Sequence, residues 1–358
     1  MATPSKISGT SSRNWLQNIL ADWDKTQLLI SFIILGLIAL APLFVKSPYY
    51  MGIIILTTLY IFTGISWNIV AGFSGQLLIA HIIFLAVGAY TTIVLYNTYG
   101  VTPWFGIVAG GIVAALLGRG VAFITLRYGL KMDYFALFTI ALMVAMRTLF
   151  LKWDLVGGAV GMGLSLSDPG FSKMIFNSKT PYLYIALGLA VVGIVVQYLI
   201  YQSKMGKYFL AIREDEAAAA ALGVNTSLYN TLALVIGAAM AGVGGGFYVM
   251  YVTFIEPPQV FDLGLNVEIM MAAPIIGGLG SLAGPVLGGI LNKPLAEFIR
   301  GALSGGRSGT TLIVYGSFLI LAILLMPRGV TGVLHHFYLK WQRRLTGTKD
   351  EELNDDIA

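Results

Sequence analysis

The sequence predicts an all-α fold: a polytopic membrane helix bundle of about ten spans, with a broken or re-entrant pair near 266–299. Three observations predict it. The 358 residues are 57% hydrophobic and only 11% charged, whereas soluble globular domains carry about 25% charged residues. Apolar runs suited to crossings of about 20 residues recur along the chain. Lys and Arg gather in alternate connections, as they do on the cytoplasmic side of membrane proteins. The 43 glycines suit helices whose backbones approach closely. The absence of Cys excludes disulfides, thiolate zinc sites and cysteine nucleophiles. The net charge of +5 is assigned to cytoplasmic loops rather than to nucleic acid.

Residues 1–12 are rich in Ser and Thr and are expected to be disordered, and no signal peptide is expected. Residues 13–26 place Trp15, Leu16, Ile19, Leu20 and Trp23 at helical spacing among charges, which suits either an interfacial helix or a plain flanking segment. Spans follow at 28–45, 50–71, 77–97, 104–126, 133–151, 181–202, 229–252, 266–279, 284–299 and 310–326. The eighth and ninth are short and are separated by GGLGSLAGP, residues 277–285, which a continuous helix would tolerate poorly. Such breaks persist at membrane depth only where protein buries them or a cavity runs beside them.

Arg127 and Lys131, then Lys204, Lys207 and Arg213, then Arg328, Lys340, Arg343 and Arg344 fall on one side of alternating crossings, together with Arg13 and Lys25. This predicts cytoplasmic termini, a cytoplasmic 204–228 loop and an external 152–180 loop. The chain then divides into a cytoplasmic segment 1–26, a membrane domain 27–332 and a cytoplasmic tail 333–358.

The 204–228 loop is the longest polar interruption between apolar runs. It reads as a short, stiff helix starting near Glu214, with Glu214, Asp215 and Glu216 in its first turn, five alanines after them and Gly223 as its stop. Two readings fit: a docking helix for a soluble partner, or a well-capped connector. The segment 67–81, WNIVAGFSGQLLIAH, interrupts the apolar pattern at Gly72, Ser74, Gly75 and Gln76 before His81. It reads either as a polar break beside a permeation path or as a turn with His81 hydrogen-bonded to a neighbouring helix. Arg119, Asp133, Arg147, Glu268 and Glu297 are the ionisable groups noted within spans. Each would cost about 2.5–3.5 kcal/mol at a helix centre, which makes them functional candidates. Arg119 is the deepest, and Glu268 is expected at the outer interface. The sequence offers no GxxxxGK[ST] phosphate loop, no metal-ligand spacing and no Ser–His–Asp arrangement.

AIREDEAAAAALGVN, residues 211–225, resembles the cytoplasmic-loop signature of LivM-type permeases of branched-chain amino-acid ABC importers. NIVAGFSGQLLIAHIIFLAVGAY (68–90), GGLGSLAGPVLGGIL (277–291) and MPRGVTG (326–332) are similar to further motifs of that family, in the same order. The resemblance implies a bacterial inner-membrane permease that pairs with a second, related permease, two cytoplasmic ATPase subunits and an external solute-binding protein. It implies no cofactor on this chain, with ATP and Mg used by the ATPases. It assigns the ATPase contact to Arg213, Glu214, Asp215, Glu216, Ala218 and Gly223. It makes 68–81 and 277–285 candidates for the translocation path, with Asn68, Ser74, Gly75, Gln76, His81, Gly157, Gly158, Gly278, Gly280 and Ser281 as candidate path residues. Gly157 and Gly158 stand where the family places a TGG-type motif, here without the Thr. The LLIAH after Gln76 and Ala217 in the loop also depart from the family pattern. These departures bear on the solute, because urea and short-amide importers share much of the pattern. A secondary transporter would call for mid-span acids or repeat-symmetric broken helices, and a membrane enzyme for clustered His, Asp or Cys.

Overall fold

The computed structural model describes residues 23–129, 132–165, 169–303 and 308–346. The expectations for residues 1–22, Lys131, residues 166–168 of the 152–180 loop and residues 347–358 lie outside the described residues. Helix α1 (Trp23–Ala39) is prolonged by a turn at Ala41–Phe44. Prolines then open successive helices, where their missing N–H is no loss: α2 (Pro48–Trp67), α4 (Pro103–Arg127) and, at its second residue, α6 (Thr180–Gln202). Between them lie α3 (Ile82–Tyr99), stopped by left-handed Gly100, and α5 (Met132–Lys152).

Two short helices, α7 (Lys204–Glu214) and α8 (Glu216–Ala221), lead into α9 (Thr226–Val252). Helix α10 (Leu263–Gly277) carries a π-helical stretch at Val267–Met271. It is followed by α11 (Gly284–Ala302), α12 (Ser308–Leu325) and α13 (Gly329–Thr346). A two-residue antiparallel ladder joins β1 (Met162–Gly163) to β2 (Phe254–Ile255).

The described residues contain eight helices long and apolar enough to cross a membrane, with Leu263–Gly277 as a shorter apolar helix. Together with α11 they correspond to the ten crossings expected, so the chain is a multi-pass, all-α membrane protein. Helices α2 and α9 form the buried centre, with Ile55, Leu59, Ile61, Ile65, Phe247 and Val249 fully enclosed. Helix α9 lies against α3 and α4 through glycine. At Gly242 an added Cβ would fall 2.7 Å from the Gly110 carbonyl oxygen, so only a glycine permits this backbone approach.

Three expectations need correction. The second span holds to within two residues, ending as a π-helix at Phe73, but the third begins at Ile82 rather than at residue 77, because residues 74–81 are unwound. The helix expected to start near Glu214 is two helices broken at Asp215, whose extended backbone (φ −156°) ends α7 and starts α8. Only Glu216 then sits in a helical first turn, and Glu214 is the last residue of α7. Glu268, expected to face the outer interface, faces the inside of the bundle: it is 9% exposed and ion-paired there, since an isolated buried carboxylate would be costly.

Contacts define two ends of the bundle. The loop end gathers α7, α8, the start of the unwound segment at 74–76, the α10–α11 turn and the starts of α1 and α13. The opposite end gathers β1, β2, Gly100 and the 153–179 connection.

Candidate functional site

The glycine turn between α10 and α11, residues 278–283, sits at the loop end. Gly278 (φ +123°) and Gly280 (φ +77°) take backbone conformations that L side chains avoid. A turn of this kind exposes peptide groups that lipid cannot hydrogen-bond, and side chains from three helices meet that need. Asn68, at the start of the π-helical extension of α2, accepts from Gly280 N (2.8 Å) and donates to Ser281 O (3.0 Å). Gln197 of α6 donates to Ser281 O at 3.1 Å. Gln27 of α1 accepts from Leu282 N and Ala283 N at 3.0 and 3.2 Å. Ser281 Oγ donates to Gly278 O (2.7 Å), and Thr331 Oγ1 of α13 lies 3.3 Å from it. Asn68, Gln27 and Gln197 are all buried.

Arg213 connects this turn to the charged loop. Its guanidinium Nη1 donates to Gly72 O at 2.8 Å, and Nη2 pairs with Glu214 at 2.8 Å. Gly75 (φ +73°) lies over the Arg213 stem, where a Cβ would come within 2.8 Å of Cγ. A Cβ on Gly280 would stand 2.5 Å from Nη1. The three glycines of two separate breaks therefore form a shallow cradle for one arginine. Arg213 turns its guanidinium toward Gly72 while its side chain stays 34% exposed, and Glu214, Asp215, Glu216, Ala218 and Gly223 are exposed beside it. Asp215 caps α8 through Ala218 N (2.9 Å), and Glu216 accepts from Asn230 (3.1 Å). Leu222, absent from the sequence-derived candidates, stands beside them 86% exposed.

A cavity of about 320 Å³ opens between these parts, lined by Ser74, Gln76, Arg213, Glu216 and Asn230 among others. Gln76 donates to Asn230 O and to Ser74 Oγ, each at 2.9 Å, and thus ties the unwound segment to α9. His81 does not line this cavity. It is fully buried, with Nε2 3.0 Å from Ser66 Oγ of α2, which is the arrangement of a histidine bonded to a neighbouring helix. Asn266 of α10 accepts from Ile82 N at 2.9 Å and donates to Ile79 O, holding the start of α3.

The candidate path residues are therefore not one group. Asn68, Gly278, Gly280 and Ser281 share the turn, and Ser74, Gly75 and Gln76 adjoin it. Gly157 and Gly158 lie at the opposite end, after α5 and beside β1. Gln27, Gln197 and Asn266 escape the sequence reading, because single amides within apolar runs carry no spacing signal.

Inside the bundle, Glu268 of α10 joins Lys293, Glu297 and Arg300 of α11. Lys293 Nζ is 3.0 Å from Glu268 and 2.6 Å from Glu297, and Arg300 lies 2.9 and 2.8 Å from the same two carboxylates. The sequence marks the two acids as candidates, and the structure adds Lys293 and Arg300. The i,i+4 and i,i+3 spacing of the three α11 charges was the available signal. Arg119 and Asp133 are exposed on α4 and α5, apart from this cluster. Among the described residues, no group of His, Cys, Asp and Glu could hold a metal ion.

Residues 49–326 match the family model described as the permease component of the branched-chain amino acid transport system. The chain is 29% identical to the high-affinity branched-chain amino acid transport system permease protein LivM of Escherichia coli K12, over 83% of this chain and 74% of that protein. It is also 29% identical to LivH of Salmonella typhimurium LT2, over 76% of this chain and 91% of that protein. A probable LivH of Methanocaldococcus jannaschii is 23% identical, over 70% and 81%. No solved structure matches the chain.

Proposed function

The chain belongs to the permease family of the branched-chain amino acid transport system, and on that premise we propose that it is one transmembrane subunit of an ABC importer for branched-chain or other neutral amino acids. In this reading it pairs with a second, related permease and carries no nucleotide site. Two cytoplasmic ATPases dock at its loop end, a solute-binding protein delivers the solute at the opposite end, and both termini are cytoplasmic in a bacterial inner membrane.

The Arg213 junction is the observation that carries the reading. A transport subunit without its own fuel site needs an element that takes up motion outside the bilayer and passes it inward. Helices α7 and α8 present Glu214, Glu216 and Leu222 outward. Arg213, on the same short element, bonds the end of α2 and faces the α10–α11 turn. A tilt of α7 then pulls on two helix breaks at once. Each break is held by hydrogen bonds rather than by a continuous helix, so each yields at the joint while its helices stay intact. Ion-pair exchange between exposed loop acids and basic groups on an ATPase would supply contact specificity more than affinity.

The direct test is ATP-driven uptake of labelled leucine and of urea by the importer purified with its own partners and reconstituted in liposomes. Leucine uptake that competes with isoleucine and valine is expected. Uptake of urea alone would move the chain to the amide importers, and uptake without ATP would make it a secondary transporter.

A further inference from the structure

The cluster of Glu268, Lys293, Glu297 and Arg300 is unusual for its depth and its balance. Glu268 stands nine residues before Gly277 and Lys293 nine residues after Gly284, so the two sit level on the arms of the hairpin. At 1.5 Å per residue that is about 14 Å along each arm from the turn. Two acids and two bases give no net charge. Each acid bonds both bases, and each base bonds both acids. Lys293 is 3% exposed and also lies over the Tyr60 ring, at 5.1 Å.

The backbone beneath the cluster is irregular on both arms. Glu268 belongs to the π-helical stretch of α10, a deviation that recurs at functional sites. Pro294, next to Lys293, interrupts the hydrogen bonding of α11. Buried Asn292 holds the two arms together by donating to Glu268 O at 2.8 Å and accepting from Tyr315 Oη at 2.6 Å.

Two cavities reach the cluster. One of about 430 Å³ is lined by Gln259, Asp262, Leu265, Glu268 and Tyr315. The other, of about 870 Å³, is lined by Tyr49, Tyr50, Glu297 and Phe298 among others. Arg300 is the member whose side chain is half exposed.

We infer that this cluster is a charge-exchange station for the α-ammonium and α-carboxylate of the transported amino acid, an inference that rests on the neutral amino-acid reading above. A solute carboxylate takes the forked guanidinium of Arg300, which suits planar bidentate pairing. The solute ammonium takes the Glu297 oxygens that Arg300 releases, while Lys293 stays paired with Glu268. Every charge keeps a partner throughout, so a zwitterion passes through the bundle with no charge left bare. A solute of net charge would leave one group unpaired, which the low dielectric penalises. The apolar lining around Tyr49, Tyr50 and Phe298 accepts the side chain. No bond is made or broken, only ion pairs traded.

A simple ionic latch between the arms would need only balanced charge, and this separates the two accounts. In the reconstituted importer, Glu297→Gln/Arg300→Gln removes one pair and keeps the Lys293–Glu268 pair, so neutrality holds. Leucine uptake per mole of assembled complex is expected to fall more than tenfold in this double variant, with Arg300→Lys intermediate. Uptake within twofold of the unaltered importer would overturn the inference, because balance alone would then suffice. A second reading needs no variant. During turnover, leucine is expected to slow phenylglyoxal modification of Arg300 at least threefold and to leave Arg119 unaffected. Unchanged modification of Arg300 would also overturn the inference. Failure of the unaltered importer to carry any neutral amino acid would instead sink the solute reading, which is a separate outcome.

Discussion

At the scale of single residues, Gly280 is the position where side-chain size bears most directly on function. Its φ of +77° strains any other residue by about 1–3 kcal/mol. A Cβ there would also press on Arg213 Nη1 and lie 2.9 Å from Gly72 O. Gly280→Val is therefore expected to lower leucine uptake more than tenfold while a smaller fraction of the assembled complex is lost. Gly188→Ala in α6, where nothing lies within 4 Å, should leave both unchanged. Purified yield and uptake, measured side by side, decide the matter. Equal losses would make the turn a structural feature alone. Gly278, Gly280 and Asn68 were legible in the sequence because a Gly-rich break and a polar residue interrupt apolar runs. Gln27 and Gln197 were not, because their roles depend on partners 255 and 84 residues away in the chain. The inward turn of Arg213 was equally hidden: a charged loop says nothing about which of its charges points home.

At the scale of elements, the sequence showed that 204–228 is a short helical loop but not that it is hinged. Asp215 marks the joint, and an acid next to other acids gives no hint that it alone serves as a cap. The structure changes what a charge reversal should do. Glu214 neutralises Arg213 at 2.8 Å, and Glu216 bonds Asn230. Each contact is exposed and contributes at most about 1 kcal/mol, so Glu214→Lys/Glu216→Lys should not unfold the chain. On the proposed reading, in which these acids meet basic groups of an ATPase, it would set like charges against each other, a mismatch that costs several kcal/mol. The double variant is expected to reach the membrane in normal amount and to lose its ATPase subunits on purification, with uptake and solute-stimulated ATP hydrolysis falling together. Retention of the ATPases and normal uptake would leave α7 and α8 as connectors. The spans were legible wherever an apolar run was continuous. The third was misplaced by five residues because LLIAH is apolar enough to be helical, yet Asn266 and Trp67 hold its backbone unwound.

At the scale of the whole molecule, the loop end carries Lys25, Arg127, Lys204, Lys207, Arg213 and Arg328, and the orientation that follows has a clean test in a cysteine-free chain. A cysteine at exposed Ser227 should resist an impermeant maleimide added outside intact cells and react once the membrane is opened; labelling in intact cells would invert the topology. The α10–α11 turn has a further consequence, for the timing of synthesis. Its peptide groups bond Gln27, from the first described helix, and its Ser281 meets Thr331, from the last. A ribosome adding roughly 5–20 residues per second needs roughly 2–10 seconds to travel from residue 283 to residue 331. For that interval the hairpin exists without its final clasp. The nascent chain thus closes like a purse drawn from both ends, and whatever guards unfinished membrane proteins has a defined moment at which to act on it.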